Sequence, residues 1–223
     1  MYIIMLGAQG TGKGTVAGLI SKETTWPQIS TGDIFRKNIS ENTELGIEAN
    51  KYISKGNLVP DEITVPMIIY RLNMVDAKEG AILDGFPRTI TQAKKLDEIL
   101  EKLGKKVDLV VNLSTPKNEI IERMLTRIVC TNQGCKATYN TKLNPPKVSG
   151  ICDKCGSPLK QREDDSNEEA IKRRLEIYEE KTSPLIEYYT QKGILRTETL
   201  SISINRMGQD VASDIVKYIK EVK

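Results

Sequence analysis

Two groups of residues in this chain have types and spacings that could do chemistry. The first is the segment Gly7–Lys13, GAQGTGK, which fits the pattern G-x-x-x-x-G-K. It follows the apolar run Tyr2–Leu6 and precedes a helical pattern, which is the context that separates a phosphate-binding loop from a chance match. Glycines let backbone N–H groups turn inward around a phosphate, and the next helix presents its positive end there. A purely structural glycine-rich turn is the alternative interpretation.

The residues after this loop bear on the metal that accompanies nucleotides. Lys13 can reach the β and γ phosphates of a bound nucleotide. Gly14 follows it, and the hydroxyl comes one residue later, at Thr15, so the usual direct hydroxyl ligand for Mg²⁺ is in doubt. Asp84 ends another apolar run, as the magnesium-binding acid of P-loop proteins does. We therefore expect Asp84 to hold Mg²⁺ through water.

The second group is a cluster of four cysteines with the spacing C-x4-C-x16-C-x2-C, namely Cys130, Cys135, Cys152 and Cys155. A tight turn can bring each pair together, and four thiolates suit tetrahedral Zn²⁺ with no open ligand position, so the zinc should be structural. Unligated buried cysteines and an iron–sulfur cluster are the alternatives. Residues 127–162 also interrupt the strand–helix pattern, which indicates a small inserted module that needs the metal to fold.

Composition narrows the chemistry further. The chain has 223 residues, 39% of them hydrophobic and 28% charged, as expected of a soluble globular protein. It contains no histidine, which excludes histidine triads, histidine metal sites and histidine general bases. Charge that develops in a transition state must then be met by lysine, arginine, backbone amides or metal.

Charge and hydropathy also bear on partners and location. The formal net charge of +3 is nearly balanced, so it gives little reason to expect nucleic acid or a membrane as partner. Residues 127–162 are the local exception, with seven basic residues and one acid. The first residues, MYIIML, lack a basic region and a cleavage site, and no apolar stretch approaches the roughly 18 residues of a membrane span. We expect a cytoplasmic protein.

The elements that must position these residues alternate along the chain. Apolar runs predict strands at Tyr2–Leu6, Ala81–Leu83, Leu109–Leu113 and, more weakly, Ile202–Ile204. Helical patterns lie between and after them, including one long helix over 168–190. We predict that the helix over 64–75 begins at Thr64, because Pro66 then falls in its first turn, where the missing N–H of proline costs little. The pattern predicts an α/β fold, a parallel sheet with helices on both faces, and ligands beyond the carboxyl ends of its strands.

Four segments carry a resemblance to a known family. GAQGTGKGT, STGDIFR, LVPDEI and DGFPRT occur in this order and spacing, and the chain resembles the adenylate kinases over nearly its whole length. Taken singly, STGDIFR could be a helix start with a surface arginine, and DGFPRT a plain loop. The resemblance implies ATP + AMP ⇌ 2 ADP with Mg²⁺, in a monomer that binds neither nucleic acid nor membrane. The cysteine module resembles the zinc-binding lid of the long-lid members.

The resemblance also implies roles for particular residues. The implied ATP contacts are Gly10, Thr11, Gly12, Lys13, Gly14, Thr15, Arg127 and Tyr139. The implied AMP contacts are Thr31, Arg36, Asn57, Leu58, Val59, Gly85, Arg88, Gln92, Arg162 and Arg174. The implied catalytic cations are Lys13, Arg88, Arg123, Arg127, Arg162 and Arg174. Arg173 is an alternative to Arg174, because one extra residue lies between Asp165 and Leu175. The family also implies a cis Phe86–Pro87 peptide and places Asp164 and Asp165 near the arginines.

The same resemblance divides the chain into three parts. The P-loop core would comprise 1–30, 60–126 and 163–223, the helical AMP-binding flap 31–59, and the zinc-ribbon-like lid 127–162. A kinase for UMP or CMP is the nearest alternative enzyme, although the long zinc lid and the Thr31/Gln92 pair argue against it. A nucleotide-sensing or RNA-binding protein with a degenerate kinase core is the alternative from another class, against which the intact Lys13 and the arginines argue.

The chain departs from the family's pattern in three places. The family usually has proline where this chain has Gln9, although a cradle of backbone N–H groups should survive that change. The turn between Cys130 and Cys135 is two residues longer than usual. The stretch 196–208 matches poorly, so its adenine contacts are not assigned.

Overall fold

The computed structural model describes residues 1–132, 134–135, 137–162, 165, 168–201 and 207–222. Its strands are β1 Tyr2–Leu6, β2 Gln28–Ser30, β3 Ala81–Asp84, β4 Val107–Ser114, β5 Arg127–Cys130, β6 Thr138–Asn140, β7 Leu159–Gln161 and β8 Leu195–Thr199. Five of them form a wholly parallel sheet in the order β2-β3-β1-β4-β8, and β6-β5-β7 form a separate antiparallel sheet. The predicted fold class is confirmed.

Helices connect these strands. They are α1 Lys13–Thr24, α2 Thr31–Ser40, α3 Glu44–Ile53, α4 Asp61–Leu72, α5 Ile90–Lys102, α6 Lys117–Leu125, α7 Glu168–Ile177, α8 Pro184–Gln191 and α9 Gly208–Glu221, with a 3-10 turn at Val75–Ala77. Parallel strands need such crossovers, because a tight hairpin can join only antiparallel ones. No helix within the described ranges is long and apolar enough to cross a membrane.

The central sheet is buried on both faces. In β1, Tyr2, Ile4 and Leu6 point into a core closed by α4, α5 and α8, whereas Ile3 and Met5 point into a second core closed by α1 and α9. This alternation follows from the two-residue period of a strand, and burial on both sides explains why β1 is apolar throughout. The two cores fix the carboxyl edge of the sheet, where β1, β3 and β4 end together.

Two predicted helices are wrong in their limits. Helix α4 begins at Asp61 after Pro60, not at Thr64, so Pro66 lies inside the helix and removes one backbone hydrogen bond. The acidic Asp61 and Glu62 favour the earlier start, because negative side chains stabilise the positive end of a helix.

The single helix predicted over 168–190 is also wrong. A π-helical turn, Tyr178–Thr182, separates α7 from α8. Pro184 has no N–H to continue an α-helical ladder, and Ser183 N–H donates instead to Tyr178 O at 2.8 Å, a five-residue step. The predicted strand Ile202–Ile204 lies outside the described residues, and β8 completes the sheet.

Candidate active site

The phosphate loop leaves the sheet between β1 and α1. Gly7 has φ of +128°, and a Cβ there would lie 2.4 Å from Leu113 O, so only glycine fits beside β4. At the start of α1, Lys13 Nζ donates to Gly7 O and Ala8 O, both at 2.7 Å. Thr11 Oγ1 donates to Ala8 O at 2.8 Å. The lysine ammonium therefore lies across the first carbonyl groups of the loop.

The acid at the end of β3 lies beside the start of α1. A Cβ on Gly14 would be 3.4 Å from Asp84 Oδ2, so the carboxylate lies in van der Waals range of the first turn of the helix. Gln28 Nε2 donates to the same oxygen at 3.3 Å. Thr15 is exposed on α1. A carboxylate of this kind, next to a phosphate loop, suits a magnesium ion that keeps several waters.

Cations crowd around Lys13. Burial lowers the pKa of its ammonium from the ordinary 10.5 to about 8, an effect that Asp84 opposes and that Arg88, Arg127 and Arg174 increase. Three arginines from distant parts of the chain are therefore close enough to repel the ammonium. A concentration of positive charge of this kind is suited to an oligophosphate.

The lowered pKa predicts proton uptake when a nucleotide binds. At pH 8 about half of the Lys13 side chains are neutral, and added phosphate charge should return them to the ammonium form. Calorimetry of ATP binding in buffers of different ionisation enthalpy should show uptake of roughly half a proton at pH 8 and almost none at pH 6. Lys13→Met should abolish the pH 8 uptake, and equal uptake in that variant would contradict the assignment.

Three of the predicted arginines lie around one buried carboxylate, that of Asp165. Arg127 donates to Asp165 through Nε at 2.6 Å and Nη2 at 2.8 Å. Arg174 Nη1 lies 3.3 Å and Arg162 Nε 3.8 Å from the same carboxylate, which is fully buried. Two-point contact fixes the plane of the Arg127 guanidinium, and the same carboxylate attracts the other two arginines by charge. Asp164 lies outside the described residues.

Arg123 lies on α6, apart from this cluster. Its Nη2 donates to Glu119 Oε2 at 2.9 Å, and Ser201 Oγ donates to the other oxygen of Glu119. Arg123 is 9% exposed, and its Nε has no hydrogen-bond partner among the described residues. Sequence reasoning missed Glu119, although its place four residues before Arg123 on a helix was the available signal.

A pocket opens between the sheet edge, α2 and α3. Its lining includes all the predicted AMP contacts except Arg162, namely Thr31, Arg36, Asn57, Leu58, Val59, Gly85, Arg88, Gln92 and Arg174. Ser30 caps α2 by accepting from Asp33 N–H, and this cap places Thr31 and Arg36 on the pocket wall. Arg36 forms an ion pair with Asp33. The structure therefore brings together residues that lie far apart in the sequence.

The amide of Gln92 is fixed from two sides. Its Oε1 accepts from Arg88 N–H at 2.7 Å, and its Nε2 donates to Asp61 Oδ1 at 2.6 Å. Asp61 was missed as a site residue, although it lies in the quoted segment LVPDEI. It sits at the start of α4, so the early start of that helix serves the pocket. The side-chain amide is thereby held in one orientation.

The loop that carries Arg88 is also fixed. Phe86–Pro87 is cis, as predicted, and Gly85 has φ of +82°. A Cβ on Gly85 would lie 2.7 Å from Thr31 Oγ1, so this position requires glycine. Arg88 Nε donates to Gly85 O at 2.8 Å, and Thr182 Oγ1 donates to Arg88 O at 2.9 Å. The π-helical turn supplies Thr182, a contact with no signal in the sequence.

The side chains of Arg173 and Arg174 point in different directions, which bears on which of them could contact phosphate. Arg174 faces Asp165 and lines the pocket, whereas Arg173 is exposed and contacts Glu176 and Asn57 at 3.4 and 3.5 Å. The structure therefore favours Arg174 as the residue that meets phosphate.

The four cysteines meet in the small antiparallel sheet. Their Sγ atoms all lie within 4.8 Å of one another, with Cys130–Cys155 at 3.5 Å and Cys135–Cys152 at 3.7 Å. A tetrahedral zinc with Zn–S bonds of about 2.3 Å would separate its sulfurs by about 3.8 Å. The thiols therefore fit a metal ion, and the longer turn after Cys130 does not prevent it.

Hydrogen bonds prepare Cys152 to act as a thiolate. Burial raises the pKa of its thiol, but the Tyr139 hydroxyl and the backbone N–H groups of Lys154 and Cys155 outweigh burial and lower the pKa to about 6. Tyr139 is 7% exposed, lies 3.6 Å from Cys152 Sγ and accepts from Asp153 N–H at 2.9 Å. The structure thus places Tyr139 in the core of the cysteine module.

Comparison with known proteins bears on this site as a whole. A family model described as adenylate kinase matches residues 5–194, most of the chain. The chain belongs to the adenylate kinase family.

The similarity in sequence to individual adenylate kinases extends over nearly the full length of both proteins. The adenylate kinase of Caldicellulosiruptor bescii is 48% identical over 98% of this chain and 97% of that protein. That of Caldanaerobacter subterraneus subsp. tengcongensis is 49% identical over 98% and 96%, and that of Clostridium botulinum 48% over 96% and 97%. The chain is accordingly a phosphotransferase of the nucleoside monophosphate kinase type. The family that the four motifs predicted is confirmed.

Proposed function

We propose that the chain transfers the terminal phosphoryl group of ATP to AMP, reversibly giving two ADP, with its residues divided as predicted from the sequence. The observation that carries this division is the closeness of Lys13, next to the phosphate loop, to Arg127 and to two arginines that line the pocket, Arg88 and Arg174. ATP would occupy the loop and AMP the pocket, so their phosphates would face each other among these cations.

The reaction then needs position and charge more than a base. An oxygen of the AMP phosphate bonds to the γ phosphorus, while the bond from that phosphorus to the β–γ bridging oxygen breaks. The transferred group carries its charge on three outer oxygens, which lysine and arginine side chains stabilise. Gln92 and Thr31 would orient the acceptor, and exclusion of water keeps AMP as the acceptor.

Two metals would complete the protein. Mg²⁺ would accompany ATP, held through water by Asp84, and would neutralise phosphate charge. Zn²⁺ bound by Cys130, Cys135, Cys152 and Cys155 would fold the module 127–162 into a lid. We also propose that the core, flap and lid have the boundaries predicted from the sequence and that Tyr139 contacts ATP. We propose further that the protein is a cytoplasmic monomer.

A direct assay tests the proposed reaction. The purified protein is mixed with Mg²⁺, ATP and one of AMP, CMP, UMP or GMP, and nucleoside diphosphates are separated by chromatography. We expect rapid ADP formation with AMP and slow turnover with the other acceptors. Absence of ADP with AMP, or faster product formation with UMP or CMP, would overturn the proposal.

Metal removal tests the cysteine site separately. We expect one zinc per chain by elemental analysis, and a lower Tm after dialysis against a strong chelator, because the small module buries too little apolar surface to fold alone. Cys155→Ser should lower zinc content and Tm in the same way. Replacement of an exposed serine in the same module, Ser149→Ala, serves as control. Full Tm in the metal-free protein would contradict a structural role.

A further inference from the structure

Gln9, the third residue of the phosphate loop, has a side-chain nitrogen with nothing to bind. Its Nε2 is buried and has no hydrogen-bond partner among the described residues. Arg123 Nε is the other buried side-chain nitrogen in that condition within those ranges. A buried donor without an acceptor is unfavourable, so native proteins rarely retain one without a reason.

One of these nitrogens belongs to the phosphate loop, and the other belongs to α6, the helix that packs against the loop. Gly10, which follows Gln9, packs directly on α6, since a Cβ there would lie 3.0 Å from Met124 Cγ and 3.2 Å from Ile120 Cγ2. Arg123 precedes Met124 on that helix. The two unpartnered donors therefore come from the loop and from the helix that packs against it. Both can only donate, so the missing partner is a hydrogen-bond acceptor.

The loop geometry indicates which acceptor. Lys13 Nζ rests on Gly7 O and Ala8 O, and a lysine in this motif reaches the β and γ phosphates. Gln9 follows Ala8 directly, so their Cα atoms are about 3.8 Å apart. Gln9 therefore adjoins the part of the loop whose carbonyl groups hold the Lys13 ammonium, where we expect the terminal phosphates.

We propose that Gln9 Nε2 donates a hydrogen bond to the terminal phosphoryl group of ATP and stabilises it during transfer. The inference rests on the proposed function and deepens it. A primary amide adds a donor without adding a positive charge to a site that already repels Lys13. Proline, the residue usual in the family at this position, supplies no such donor, so the contact would be particular to chains with glutamine here.

Gln9→Met tests the proposal, because methionine keeps the length of the side chain and removes the donor. We expect kcat to fall about 10- to 100-fold, the loss associated with a hydrogen bond to a charged group. Affinity for AMP and for ADP should stay within about twofold, whereas affinity for a non-hydrolysable ATP analogue should fall. The Tm of the free variant should equal or exceed that of the wild type, since an unpaired buried donor is gone.

Two further variants keep the test sharp. The kcat of Gln9→Glu should fall further than that of Gln9→Met, because a carboxylate would repel the phosphate. Tyr189→Phe is the control. It removes the hydroxyl of a core residue of α8, another buried polar atom with no hydrogen-bond partner among the described residues, and should leave kcat unchanged.

Wild-type kcat in Gln9→Met at normal Tm would overturn the inference while leaving the proposed reaction intact. Equal loss of affinity for ADP and the ATP analogue would also overturn it. A wild-type protein that forms no ADP from ATP and AMP would instead overturn the proposed function.

Discussion

Arg88→Ala should lower kcat about 10²- to 10³-fold while Tm stays close to that of the wild type. Arg88 lines the pocket and is close enough to Lys13 to lower the pKa of its ammonium, so we expect it to lie between the two predicted phosphate sites. Removing a preorganised donor from developing charge has an effect of this size. The measurement is steady-state kinetics in both directions, with Tm and zinc content recorded for each variant.

An arginine elsewhere provides the matched control. Arg71 forms a two-point ion pair with Asp76, at 2.8 and 2.6 Å, on the outer side of α4. Arg71→Ala should leave kcat unchanged and lower stability only slightly, as surface ion pairs contribute little. Arg88→Lys should keep the charge but lose the planar fork, and we expect intermediate activity. Near-normal turnover in Arg88→Ala would remove this arginine from the reaction.

Asp165→Ala should destabilise the protein by about 3–5 kcal/mol, a fall in Tm of roughly 10 °C. The carboxylate is fully buried and contacts Arg127, Arg162 and Arg174. Without it, three neighbouring guanidinium groups lose the carboxylate that they share. We also expect kcat to fall, because the arginines lose the contact that sets their orientation.

Added sulfate separates this explanation from a simple packing defect. An anion can replace the missing carboxylate among the arginines, so sulfate should raise the Tm of Asp165→Ala more than that of the wild type. Asp165→Asn, which keeps the shape and loses the charge, should respond to sulfate in the same direction. A variant with unchanged Tm, or with no extra response to sulfate, would show that Asp165 does not organise the three arginines.

The parts of this protein that the sequence predicted are those built from short continuous segments. The phosphate loop is one strand–turn–helix unit, and its glycines, Lys13 and the following helix are neighbours in the chain. The cysteine pairs are each joined by a few residues, so their spacing indicates a metal site directly. The parallel sheet follows from alternating apolar and helical patterns, because each pattern is local.

The ends of the helices and the contacts between residues far apart in sequence were harder to predict. Pro66 was an incomplete guide to where α4 begins, because the acidic start at Asp61 and the contact of Asp61 with Gln92 outweigh one lost hydrogen bond. The π-helical turn before Pro184 depends on how α7 and α8 pack, and it carries Thr182 to Arg88, 94 residues away in sequence. No local pattern encodes that contact.

The sequence by itself therefore determined the family, the fold class and most of the residues that we propose to bind phosphate. Only the tertiary structure decided their contacts: it pairs Asp165 with Arg127, 38 residues away, and turns Arg174 rather than Arg173 toward Asp165. It also leaves Gln9 Nε2 buried without a partner in the part of the chain that the structure describes. The physical reason is that motifs specify local backbone geometry, whereas direction, burial and the pairing of charges are set when distant elements pack.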